Sequence, residues 1–189
     1  MCIRDRLGVF GSVGGKTIRE FEDEHRSFLD YRPEEKLNNS ALEYFGDGYR
    51  DINGQLRKGR VNAKTERKIK SINSEMRPLK QNYHAYRGDT RTLKYSPGEV
   101  FDEAGFMSTS SNPGIAVGFG SEGEGGGTLF QMVLPKGKRS IHENAIEGEI
   151  VLPPGQRMRV LESSSNKTVD LGTYKRTVGK FYVIELLED

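Results

Sequence analysis

Three short segments of the 189-residue chain carry side chains suited to chemistry. Tyr86-Arg87-Gly88-Asp89 closes a run of β-forming residues. An arginine there offers a donor fork to a phosphate, and the glycine lets a ligand approach the main chain. In Phe106-Met107-Ser108-Thr109-Ser110-Ser111, strand alternation puts Ser108 and Ser110 on one face with Phe106 and turns Thr109 away. Hydroxyls so placed beside a cleft can orient a carboxylate or a ribose. Glu147-Gly148-Glu149 stands before Ile150-Val151-Leu152 and points two carboxylates the same way, a repulsion that calls for a cation or donor. Paired carboxylates are common catalytic equipment, yet this spacing leaves little room for a sugar between them. Each segment alone is equally an ordinary strand end, a polar edge strand or a solvated acidic turn.

Other chemistries are set aside by composition. The single cysteine, Cys2, excludes an intrachain disulfide or a Cys-based zinc cluster. The three histidines, His25, His84 and His142, show no metal-ligand spacing, so no metal is expected. Gly11-Ser12-Val13-Gly14-Gly15-Lys16-Thr17 is one residue too short for a phosphate-wrapping loop and lacks a βαβ pattern behind it. No apolar run approaches the roughly 20 residues of a membrane span, and Met1 to Arg6 is too charged for a secretory signal.

The net charge of +2 conceals a basic block. Arg57 to Lys80 holds nine basic and two acidic residues, a net of +7. Such a block suits nucleic acid or an acidic surface. Without interleaved aromatics it reads more simply as a solvated helix face.

These side chains need elements to position them. Thr17 caps a helical pattern through Ile18, Phe21, Phe28 and Leu29. After Pro33, Glu34 and Glu35 open a second helix through Leu37, Ala41, Leu42 and Phe45. Gly46 and Gly48 break it before Tyr49, Ile52, Asn53 and Leu56, and a basic helix with Ile69, Ile72 and Met76 stops near Pro78. Beyond Pro78, short β-rich runs at 82–87, 105–110, 128–134, 149–152, 157–162, 168–175 and 180–187 alternate with turn residues. Residues 120–127 read as a flexible loop without packing material. Helices first and strands afterwards give an α+β fold.

The order of the three segments resembles the Arg-Ser-Glu class of mono-ADP-ribosyltransferases, the exoenzyme-type family of bacterial toxins and its phage-encoded relatives. Tyr44, Tyr49 and Asn53 in the helical half match that family's contribution to an NAD site, and Phe119 falls at the aromatic of its phosphate–nicotinamide loop. The likeness covers roughly residues 40–187, leaving 1–40 as a leader with a weakly matched helical segment and 41–189 as the catalytic domain.

The resemblance implies a helical lobe packed on two antiparallel β-sheets, a split β-sandwich with NAD in the cleft. Arg87 would clamp the NAD phosphates, and Gly88 would offer main-chain groups to the nicotinamide amide. Ser108 would hold Glu149, and Glu149 would stabilise positive charge on the ribose. Glu147 would orient an acceptor guanidinium, which makes arginine the expected acceptor and NAD glycohydrolysis the side reaction. Relatives with a basic residue after the loop aromatic differ from Phe119-Gly120-Ser121-Glu122, so phosphate binding is expected to lean on Arg87. The expected setting is a monomeric secreted or injected effector, or a phage protein in host cytoplasm, acting on a target protein. A nucleic-acid-binding module built on 57–80 is the alternative reading.

Overall fold

The computed structural model describes residues 37–121, 124–142, 148–170 and 175–187. The helical pattern read over Thr17 to Leu29 and the Glu34-Glu35 first turn lie outside them. The described chain opens with α1 (Asn39–Glu43), a π-helical turn (Tyr44–Gly48) and α2 (Tyr49–Arg57). The kink falls on Gly46, whose ψ of −126° leaves the helical region, so the glycine break is observed. Helix α3 (Ala63–Glu75) follows, with Thr65 and Ile72 buried. Asn38 and Asn62 cap α1 and α3, accepting from the Ala41 and Thr65 amides at 3.0 and 2.9 Å. Asn38 also donates to the Ser71 carbonyl and the Glu75 carboxylate, both at 3.0 Å, and so fastens α1 to α3.

Tyr44, Ile52, Ile72 and Met76 form one apolar cluster with Phe106, Ile141 and Val151 of the β half. This seam seats the helical lobe on the sheet. Most of the basic block faces outward from it: Lys58, Arg60, Lys64, Arg67 and Lys70 are exposed. Lys68 and Lys70 pair with Glu43 and Glu66, as on a solvated face.

The strands are β1 (Arg77–Pro78), β2 (Tyr83–Asp89), β3 (Val100–Glu103), β4 (Met107–Ser110), β5 (Thr128–Leu134), β6 (Arg139–Ser140), β7 (Glu149–Leu152), β8 (Gln156–Asp170) and β9 (Lys175–Leu186). Seven form one sheet in the order β3-β8-β9-β5-β2-β4-β7, and β1 pairs with β6. The ladders are antiparallel except β5–β9, so the α+β architecture contains a mixed sheet. β2 and β4 share a single register pair, Tyr86 with Ser110. The sheet is split along that line.

Several local expectations are corrected. The strand read at 105–110 begins at Met107, because the Asn53 side chain pins Phe106 in the turn before it. Strand β3 was missed: only Val100 and Phe101 in it are apolar, and its order comes from pairing with β8. The runs at 157–162 and 168–175 are largely one strand, since the polar stretch Ser163–Lys167 is carried by its ladder with β9. Residues Pro113–Ser121 form helix α4, capped by Asn112, whose Oδ1 accepts from the Gly114 and Ile115 amides at 2.8 and 3.3 Å.

Nor is the glycine-rich segment without packing. Gly127 has φ +56°, and a Cβ there would stand 1.7 Å from the Gly120 carbonyl. A main chain this close to its neighbours leaves no space for side chains. Ala116 and Val117 of α4 pack on Tyr86, Leu129, Val178 and Phe181, covering one face of the β2–β5–β9 region.

Candidate active site

Arg87, Gly88, Ser108, Glu149, Tyr44, Tyr49, Asn53 and Phe119 all line one cavity of about 280 Å³ where the sheet splits. These are all of the sequence-predicted site residues within the described segments. Glu147 lies outside them. Segments separated by dozens of residues thus converge on one cleft between the helical lobe, β2, β4, β7 and α4.

The two hydroxyl and carboxylate segments are neighbours by register. β4 pairs with β7, setting Ser110 opposite Glu149 and Ser108 opposite Val151. Directly opposed residues share a face, so Ser108, Ser110 and Glu149 lie on the side where the helical lobe packs. The Ser111 amide donates to the Gly148 carbonyl at 2.9 Å and secures the turn leading into Glu149.

Arg87 follows the single β2–β4 pair and spans the opening beyond it. Its Nη1 donates to the Ser108 carbonyl at 2.8 Å, and its Nη2 to Glu103 Oε2 at 3.4 Å. The side chain is only 15% exposed. A guanidinium carries five N–H donors, so these two bonds leave donors for a ligand.

Tyr44 is buried, its hydroxyl 3.4 Å from Ser108 Oγ and 3.3 Å from Asn53 Nδ2, which donates to it. Burial raises the Tyr44 pKa, while the bonds to Ser108 and Asn53 pull the other way. The net rise keeps it a neutral phenol. Asn53 Oδ1 accepts from the Phe106 amide at 2.8 Å, and Nδ2 also donates to the Phe106 carbonyl at 3.3 Å. Asn53 therefore fixes the entrance to β4 and the Tyr44 hydroxyl together.

Gly88 has a reason for being glycine that its sequence neighbourhood does not show. A Cβ there would sit 2.0 Å from the Ala116 carbonyl and 2.5 Å from the Gly120 amide. Helix α4 packs directly on this main chain, which carries Phe119 to the cleft rim with 55% of its surface exposed. Tyr49, 37% exposed, supplies a second aromatic at the cavity.

Two residues escaped sequence reading. Arg57 also lines the cavity, although it reads as one member of the basic block. Glu103 pairs with both Arg57 and Arg87. Burial raises its pKa, but the Arg57 hydrogen bond, the Arg87 charge and the Gly105 amide outweigh this and hold it below the usual carboxylate range. A Glu at a strand end carries no signal of its own, and the juxtaposition exists only in three dimensions. Among the described residues, no group of three or more His, Cys, Asp or Glu is arranged to hold a metal ion. No described helix is long and apolar enough to cross a membrane.

The cleft belongs to a transferase fold. The description ADP-ribosyltransferase exoenzyme matches residues 19–182, and the chain belongs to that family. Mav of Mycobacterium avium, whose name assigns it as an NAD(+)–arginine ADP-ribosyltransferase, is 29% identical over 152 residues. That match takes in 77% of this chain and 17% of Mav. Exoenzyme T of Pseudomonas aeruginosa is 28% identical over 163 residues, 79% of this chain and 35% of the relative. The chain therefore spans well under half the length of either. Exoenzyme S from Pseudomonas aeruginosa, solved with human 14-3-3 protein beta and bound to Carba-NAD, shares the fold. Its TM-score is 0.59 at 23% identity, over 89% of this chain and 84% of that one.

Proposed function

We propose that the chain is a mono-ADP-ribosyltransferase that moves ADP-ribose from NAD to an arginine side chain of a target protein. The observation that carries this reading is the convergence of Arg87, Ser108 and Glu149 on one cavity of a family transferase fold. The lining suits the co-substrate: guanidiniums for a diphosphate, hydroxyls for ribose, and aromatic faces at Tyr49 and Phe119. The name of Mav supports arginine as the acceptor, and the Carba-NAD bound to Exoenzyme S supports NAD as the donor.

In this reading NAD supplies an activated ribosyl carbon with nicotinamide as the leaving group. Arg87 binds the diphosphate, and Gly88 offers main-chain groups to the nicotinamide amide. Ser108, held by Tyr44, orients Glu149. Glu149 accepts a hydrogen bond from the ribose hydroxyl and faces the positive charge that develops as the carbon–nitrogen bond breaks, the electron pair leaving with nicotinamide. A fixed carboxylate in a partly dry cleft is worth more there than in water. Glu147 orients the acceptor guanidinium, whose nitrogen forms the new bond to the ribosyl carbon and gives up a proton to the carboxylate. When water takes that place the products are free ADP-ribose, nicotinamide and a proton, the NAD glycohydrolase side reaction. The setting is that of a secreted or injected effector acting as a monomer.

The two carboxylates separate in a variant pair. Glu149→Ala loses both transfer and hydrolysis, whereas Glu147→Ala retains much of the hydrolysis and loses the transfer. Equal losses of both activities in the two variants would contradict the division of roles.

A further inference from the structure

Glu103 has no part in the chemistry above, yet it lies at the junction of the cleft's cations. Arg57 closes α2, Arg87 lies on β2 and Glu103 ends β3, with sequence separations of 46 and 16 residues from the carboxylate. Arg57 grips Glu103 through both oxygens, Nε to Oε1 at 2.9 Å and Nη2 to Oε2 at 3.1 Å. Arg87 Nη2 reaches Oε2 at 3.4 Å, and the Gly105 amide donates to Oε1 at 2.9 Å. The carboxylate is 11% exposed, and its orientation is set from the main chain.

Its position decides what it can do. Arg57 and Arg87 line both the main cleft and a second cavity of about 260 Å³, while Glu103 lines only the second. The carboxylate therefore holds the two guanidiniums from behind. Two like charges brought together at one rim repel, and a shared anion offsets that repulsion. A receptor fixed in advance also spends less of its binding free energy on ordering side chains.

We infer that Glu103 is a positioning residue that sets the spacing of the Arg57 and Arg87 guanidiniums and so the affinity of the cleft for the diphosphate of its co-substrate. The inference rests on the reading in which NAD occupies the main cleft. It separates from a merely structural tie between lobe and sheet, because only the diphosphate-bearing half of the ligand should register the loss.

The test is calorimetric titration of ADP-ribose, with saturation-transfer NMR for nicotinamide, on wild type, Glu103→Gln and Glu103→Asp. Glu103→Gln should weaken ADP-ribose about tenfold, as expected for loss of one charged anchor, while nicotinamide stays within about twofold. Glu103→Asp keeps the charge and loses one methylene of reach, and should weaken ADP-ribose about threefold. It decides the matter if the Gln variant does not fold. Unchanged or tighter ADP-ribose binding in the variants would make Glu103 a bystander or an electrostatic competitor and overturn the inference. Equal weakening of both ligands would reduce it to a structural tie. A wild type that binds neither ligand would instead defeat the cleft reading itself.

Discussion

The Arg87 guanidinium donates to the main-chain carbonyl of Ser108 at 2.8 Å, across the line where β2 and β4 part. The side chain proposed to meet the phosphates thereby also fixes the strand that carries the proposed orienting hydroxyl. In the proposed reading, phosphate binding and alignment of the carboxylate are tied through one residue.

That tie makes Arg87→Lys far from conservative. An ammonium is a point charge and cannot bond Ser108, Glu103 and a phosphate in one planar fork. Steady-state NAD glycohydrolysis should show KM for NAD rising at least about tenfold, with kcat falling as well because β4 is released. A change confined to KM would remove the alignment role.

The Tyr44 hydroxyl joins Ser108 Oγ to Asn53 Nδ2. Tyr44→Phe deletes that junction but keeps the ring packed against Phe106, 5.0 Å away between centroids. Stability should fall by about 1 kcal/mol in urea unfolding, and kcat should fall more than KM changes. Asn53→Ala should destabilise the protein more, since it strands the buried Phe106 amide.

Packing at Gly88 gives a paired test. Gly88→Ala forces a methyl against the Ala116 carbonyl at 2.0 Å, and should destabilise by about 1–3 kcal/mol or more. Gly54→Ala lies within α2 with nothing within 4 Å of the new methyl, and should stabilise by about 0.5–1 kcal/mol. Urea midpoints of the two variants should move in opposite directions.

Because the Glu103 pKa is lowered on folding, its ionised form adds stability above the ordinary carboxylate range. That contribution is lost as pH falls through the depressed value. Arg57 and Arg87 face the group from α2 and β2, and Arg91 also feels its charge. Wild type should be more stable than Glu103→Gln near pH 7, and in unfolding experiments the gap should shrink as pH falls below the ordinary carboxylate range. A gap independent of pH would show that the charge is not its source.

The candidate site was legible in the sequence through the joint order of its parts, since each part alone reads equally as an ordinary strand end, edge strand or turn. Arg87 with Gly88, Ser108 with Ser110, and Glu149 each sit in a short run whose alternation fixes a face. Their convergence follows from the β2–β4 and β4–β7 pairings, which set the three runs side by side. Glu103 and Arg57 stayed hidden because their pairing depends on where α2 ends relative to β3. The parallel β5–β9 pair and the polar middle of β8 stayed hidden too, since neighbouring strands supply their order. Asn112 and Pro113 are turn-type residues in the sequence, and here they cap and start α4.

Mass spectrometry of the modified side chain, after incubation with isotope-labelled NAD and a cell lysate, bears most directly on what the cleft does. ADP-ribose should be found on the guanidinium of arginine in target proteins, and Glu149→Ala should leave none. Modification of another side chain would remove arginine as the acceptor, and equal labelling by wild type and Glu149→Ala would place the chemistry outside this cleft.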